Sequence, residues 1–203
     1  MTRLAVATRS VGKLRELLPM LAAAGYAPVD LGTLGIAATA GEEALEVHAT
    51  FRGNALAKAR YFHALTGLPT LADDSGLCVD ALGGAPGVRS KRWSGRTDLT
   101  GQALDDANTA AVLVALGPGG ERACRYACAA AYVDGEREAV GEGAVAGRLL
   151  EAPQGAGGFG YDPYFWCVEL GRGFGEVSRE EKATVSHRAR AVAALLSALR
   201  AGG

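Results

Sequence analysis

Apolar positions along the chain recur with two periods, and the alternation between them outlines the fold. Leu4-Ala5-Val6-Ala7 is a short continuous apolar run, as expected of a buried strand. Ser10 then stands as an N-cap before an apolar repeat at helical spacing: Val11, Leu14, Leu17, Leu18 and Leu21. Pro19 inside that repeat predicts a kink or a lost hydrogen bond, at about 3 kcal/mol if nothing relieves it. A second helix is predicted over 50–65, with Phe51, Ala55, Ala59 and Phe62 as its apolar stripe and Asn54 and Lys58 on another face. A third is predicted over 100–116, ending at the turn Gly117-Pro118-Gly119-Gly120. Residues 122–133 and 137–147 read as two long strands joined at Asp134-Gly135, a hairpin signal. The last helix runs from about 188 to 200 on Val192, Leu195, Leu196 and Leu199. Strands and helices that alternate early, with a hairpin late, predict an α/β protein with a mixed sheet. No Pro- or Ser-rich linker divides the chain, so residues 1–203 are expected to form a single domain.

Composition narrows the function classes. Of 203 residues 49% are hydrophobic, which excludes disorder and allows a substantial core. No apolar stretch is long enough for a bilayer and no basic-then-apolar leader opens the chain, so a soluble cytoplasmic protein without membrane contact is expected. A net charge of −1 provides no global field for nucleic acid, so any phosphate binding must come from local clusters. Cys78, Cys124, Cys128 and Cys167 show no metal-ligand spacing and read as reduced, buried thiols. The glycines cluster at 83–84, 117–120 and 155–160, which points to loops shaped for close backbone approach.

Four islands carry candidate chemistry. Ala72-Asp73-Asp74-Ser75-Gly76-Leu77 places adjacent carboxylates between core-like flanks. Either one caps a turn while the other is solvated, or cations compensate both, a divalent metal or metal-bound phosphates being the usual means. Thr8, Ser10 and Lys13 lie at a strand-to-helix junction, where free amides and the helix dipole suit an anion, although P-loop and Rossmann glycines are missing. Ser178 and Glu181 are spaced as a capping box that aims Lys182 outward, and Ser186 is a candidate N-cap placing His187 and Arg188 in the next helix's first turn. Cations there oppose the dipole, which makes sense if an anion shares the site. Gly157-Gly158-Phe159-Gly160-Tyr161-Asp162-Pro163 offers either a stacking face for a base or a glycine-rich turn with a core Phe. A further segment, Gly83 to Gly95, reads as a tight turn and a basic-aromatic strand through Lys91, Arg92 and Trp93. Carboxylates for a metal, Lys and Arg for phosphates and an aromatic for a base together describe a metal-dependent nucleoside triphosphate hydrolase without a P-loop.

In this order the islands resemble the inosine-triphosphate pyrophosphatase family. The resemblance rests on Ala-Thr-x-x-x-Gly-Lys at 7–13, Asn54-Ala55 to Lys58-Ala59-Arg60, Ala-Asp-Asp-Ser-Gly-Leu at 72–77 and Leu-Gly-Gly-x-Pro-Gly at 82–87. Gly-Gly-Phe-Gly-Tyr-Asp-Pro at 157–163, Glu-Glu-Lys at 180–182 and Ser-His-Arg at 186–188 complete it. It implies an elongated mixed β-sheet flanked by helices, two lobes with a central cleft, a homodimer, and Mg2+-dependent hydrolysis of dITP, ITP and XTP to the monophosphate and pyrophosphate. By the same resemblance Asp74 activates water and, with Glu46, holds the metal. The loop Thr8, Arg9, Ser10, Val11, Gly12 and Lys13, together with Lys58, Ser75 and Lys182, binds the nucleotide. Phe159, Gly160, Tyr161 and Asp162 hold base and sugar, and His187 and Arg188 read the 6-oxo group. Two positions depart from the family pattern: Ser10 stands where Asn is usual, and His48 replaces a glycine in the segment before the second helix. Glu42 and Glu43 are alternative metal carboxylates. A catalytically weak nucleotide-binding module, and a septum-inhibition-type pyrophosphatase for modified pyrimidine nucleotides, are the competing readings.

Overall fold

The computed structural model describes residues 1–201, and of Glu43 the backbone alone. Seven strands form one sheet: β1 (Thr2–Val6), β2 (Tyr26–Asp30), β3 (Thr70–Val79), β4 (Ala123–Val133), β5 (Glu138–Leu149), β6 (Phe165–Cys167) and β7 (Arg172–Gly173). Their order is β2-β1-β3-β4-β5-β6-β7. β1 pairs in parallel with β2 and β3, whereas β6 pairs antiparallel with β5 and β7, so the sheet is mixed and open. The helices are α1 (Val11–Ala23), α2 (Phe51–Thr66), α3 (Gly101–Leu116), α4 (Arg179–Val185) and α5 (His187–Ala201). None of the described helices is long and apolar enough to cross a membrane.

The chain divides into two compact units. The first comprises Met1–Asp74, Cys128–Gly143 and the chain from Arg188 onward; the second comprises Ser75–Ala127 and Ala144–His187. In the first, the period-2 alternation of β1 sends Leu4 and Val6 to one face, against Leu17 and Leu21 of α1 and Leu195 and Leu199 of α5. Ala7 and Ala72 face the other way, onto Ala55, Ala59 and Phe62 of α2. A side chain at Gly141 would meet the Leu195 amide nitrogen at 2.1 Å and the Ala191 carbonyl oxygen at 2.2 Å, so the missing Cβ lets α5 lie against β5. The second unit packs Leu77 and Val79 of β3, Val112 of α3, Cys124 and Tyr126 of β4, Leu149 of β5, Phe165, Cys167 and Phe174 into one core. All four cysteines are buried and free.

The structure corrects one reading of the pattern and completes it at two other places. α1 runs unbroken through Pro19, whose missing N–H falls on an exposed face of the helix. Residues Gly87–Arg92 form a short 3-10 helix rather than a basic-aromatic strand, because Ser90 Oγ accepts from the Leu77 amide at 2.9 Å and donates to the Gly87 carbonyl at 2.7 Å. Finally, β2, β6 and β7 have no strand signature of their own. β2 carries Pro28, which an edge strand tolerates, and the other two are only three and two residues long.

Candidate active site

In the first unit the site grows from the middle of β3, where Asp73 and Asp74 fall inside the strand rather than at its end. Successive residues point to opposite faces, so two neighbouring carboxylates meet different partners. Asp73 is fully buried, its Oδ2 accepting from Arg188 Nε at 2.9 Å and standing 3.2 Å from Lys13 Nζ. Arg188, itself 1% exposed, also pairs with Glu16 of α1. The cation that opens α5 against its dipole therefore has an anion, and that anion is protein. Burial alone would raise Asp73, but Lys13, Arg188 and Lys58 override it and hold the carboxyl well below its ordinary range. Asp73 Oδ1 is buried with no hydrogen-bond partner among the described residues.

Asp74 is treated differently. It is 5% exposed, accepts from Asn54 Nδ2 at 2.8 Å through Oδ2, and has Lys58 Nζ 3.9 Å from Oδ1. Its burial outweighs the nearby cations and raises its pKa, with Glu46 adding to the rise. Lys58 donates to Glu46 Oε1 at 2.6 Å; burial disfavours its charge, yet Glu46, Asp74 and Asp73 together raise its pKa, so it stays an ammonium. Two adjacent carboxylates are thus driven apart in basicity, the arrangement that separates a structural anion from a proton acceptor.

Local sequence explains how α2 presents these groups. Thr50 caps it by accepting from the Gly53 amide at 3.1 Å. One turn in, Asn54 accepts from the His48 amide at 2.9 Å and donates to Asp74, which sets its amide orientation. His48 does not need the left-handed backbone that glycine would favour, since no described non-glycine residue has positive φ. A Cβ on Gly53 would come within 2.8 Å of His48 Cβ, so Gly53 makes the room that His48 takes. Ser10, the other departure, still caps α1, its Oγ accepting from the Lys13 amide at 3.3 Å, while Thr8 Oγ accepts from the Ser10 amide. Val11 is exposed and Gly12 half-buried at the start of α1. Arg9 donates to Glu42 at 2.7 and 3.0 Å and to the carbonyls of Ile36 and Ala37, so Glu42 is engaged as an ion-pair partner. The side chain of Glu43 lies outside the described structure. Of the candidate second carboxylates, Glu46 is the one linked through Lys58 to Asp74.

The second unit holds the other predicted residues. Asp162 is buried and its Oδ2 accepts from Lys182 Nζ at 2.6 Å and from the Phe159 amide at 2.9 Å. The capping box on α4 is present, yet Lys182 turns inward rather than outward, its ammonium 5.0 Å from the Phe159 ring centroid and 5.2 Å from that of Phe174. Gly158 has φ +78°, and a Cβ there would lie 2.2 Å from Asp162, so only glycine permits this turn. The Gly160 amide donates to Asp105 at 2.9 Å, and Tyr161 anchors the loop by donating to the Ser90 carbonyl at 2.7 Å. His187 is buried with its ring stacked on Tyr126, and Ser75 is half-buried beside the Asp74 position. Asp105, Tyr126 and Glu16 lie outside the sequence motifs. Each lies within ordinary helix or strand pattern, and only folding gives it a site residue as neighbour.

A buried carboxylate of raised pKa beside the buried Lys58, on an open mixed sheet, defines an α/β protein of hydrolase type. The chain belongs to the Ham1 family, whose sequence pattern matches residues 4–198. It is 45% identical over 203 residues to a dITP/XTP pyrophosphatase of Ralstonia nicotianae, covering 98% of both chains. Among solved structures, a HAM1 protein from Coxiella burnetii aligns with TM-score 0.82 and 31% identity over 98% of this chain and 99% of that one. A nucleoside-triphosphatase / dITP/XTP pyrophosphatase from Mycobacterium abscessus aligns with TM-score 0.71 and 42% identity, over 96% and 99% of the two chains.

Proposed function

We propose that this protein hydrolyses non-standard purine nucleoside triphosphates, dITP, ITP and XTP, to the monophosphate and pyrophosphate, and so cleanses the nucleotide pool. The observation that carries the reading is Asp74: buried, raised in pKa, oriented by Asn54 and flanked by Lys58. The relatives named dITP/XTP pyrophosphatase over nearly the whole length support the substrate class. In this mechanism Asp74 orients a water and takes its proton, the oxygen attacks the α-phosphorus, and pyrophosphate departs. Lys13 and Lys58 offset phosphate charge. Lys182 binds the nucleotide, Phe159 to Asp162 hold base and sugar, and Ser75 and the loop from Thr8 to Lys13 contact the substrate. His187 and Arg188 read the purine's C6 position, where a keto oxygen accepts from their donors and an amino group leaves them unsatisfied.

The donor set suits magnesium. Asp74 and Glu46 are hard oxygen ligands held on one ammonium, and Mg2+ is commonly bound by one or two carboxylates plus substrate phosphates. When bound it neutralises triphosphate charge and polarises the phosphoryl oxygens. We further propose that the enzyme works as a cytoplasmic homodimer, without nucleic acid or membrane partners. Hydrolysis in ¹⁸O-enriched water tests the point of attack: label is expected in the monophosphate, and label in pyrophosphate refutes the mechanism. Asp74→Asn is expected to lower kcat by about 10²–10⁴-fold with unchanged circular dichroism.

A further inference from the structure

Tyr126 sits in the middle of β4, buried at 6% exposure. Its ring lies flat on the His187 imidazole, centroids 4.6 Å apart and planes 13° from parallel. It is wedged from behind by Phe165 at 4.5 Å and Phe174 at 6.2 Å. Burial and the nearby Asp162 carboxylate raise the phenol well above its ordinary value. Asp162 in turn receives the Lys182 ammonium and the Phe159 amide. One buried phenol therefore lies face to face with His187, the residue that opens α5.

A flat stack limits rotation of the imidazole and keeps its ring nitrogens pointing edgewise, so it acts on the direction of the hydrogen bonds that His187 offers. Resting on the functional reading above, we propose that Tyr126 is a positioning residue for purine selection. Its ring fixes the orientation of His187 that distinguishes a 6-oxo from a 6-amino purine.

Substitution tests the stack. Tyr126→Phe keeps the stack and removes the hydroxyl. It is expected to leave kcat and KM within about twofold, with the dITP/dATP ratio of kcat/KM preserved. Tyr126→Leu removes the stack as well, and the dITP/dATP ratio is expected to fall by about tenfold or more. A parallel readout is the His187 ring-proton resonance, shifted upfield by the stacked phenol in the wild type and in Tyr126→Phe and released in Tyr126→Leu. A ratio unchanged in folded Tyr126→Leu, or an equal loss of kcat on every substrate, overturns the proposal in favour of plain core packing. If Tyr126→Leu does not fold, Tyr126→Phe and the His187 resonance decide: a lost selectivity with the stack intact, or a wild-type ring proton without the upfield shift, overturns it. A wild type inert towards every triphosphate overturns the functional reading itself, a result distinct from an active enzyme whose selectivity ignores Tyr126.

Discussion

At the scale of single residues, environment decides chemistry. Asp73 and Asp74 share an element and a residue type, yet one is held ionised by Lys13, Arg188 and Lys58 while the other is raised by burial. Asp105 shows the same rule on a residue the motifs pass over. Its burial raises the carboxyl above its ordinary value, partly offset by the Gly160 amide and Lys91. An acid whose folded pKa exceeds its unfolded one contributes stability that is full below the unfolded value and lost as pH rises through the folded one. Asp105→Asn keeps an acceptor for the Gly160 amide and removes that titration. The stability of the wild type relative to Asp105→Asn is therefore expected to fall as pH rises from about 3.8, then level off, in paired urea titrations. The opposite slope rejects the assignment. At Gly158, where φ is +78° and a Cβ overlaps Asp162, alanine is expected to destabilise the loop and raise KM.

Elements are held by features of differing legibility. The box Ser178–Glu181 is readable from spacing alone and present in the structure, with Ser178 accepting from the Glu181 amide at 3.1 Å and Glu181 returning to the Ser178 amide at 2.8 Å. Ser178→Ala is expected to cost about 1 kcal/mol by thermal or urea unfolding, and to raise KM because α4 carries Lys182. Pro19 is readable in the opposite sense, as a breaker, yet α1 passes through it. Tertiary packing of Leu17 and Leu21 supplies what the missing hydrogen bond takes away. Pro19→Ala restores an N–H within α1 and is expected to raise stability by about 1–3 kcal/mol. An unchanged or lower unfolding midpoint contradicts that account. The short strands β6 and β7 escape any pattern, because two or three residues carry no period and depend on a neighbouring strand to exist.

For the whole molecule, the order of strands is the outcome that local pattern does not contain. Parallel pairing of β1 with β3 joins residues some 65 positions apart in the chain, as Ala5 opposite Thr70 shows. With that pairing Lys13 reaches Asp73, and Arg188, more than a hundred residues later, closes on the same oxygen. Magnesium removal by chelation is expected to abolish pyrophosphate release and its return to restore it, while sedimentation is expected to show a species of two chains. Persistent activity in excess chelator rejects the metal proposal.

By itself the sequence determined the main helices, the first strand and the two long hairpin strands, the capping box Ser178–Glu181 and the family, because hydrophobic period, turn chemistry and ordered motifs are local properties. It also brought Asp74 and Lys58 into view as residue types suited to the proposed chemistry. Only the tertiary structure decided that Arg188 is buried between Asp73 and Glu16, that Lys182 turns inward onto Asp162, and that Tyr126 lies against His187. Those outcomes depend on burial and on charges brought together from distant segments. Desolvation and Coulomb terms come into being when the chain packs, and no stretch of sequence contains them.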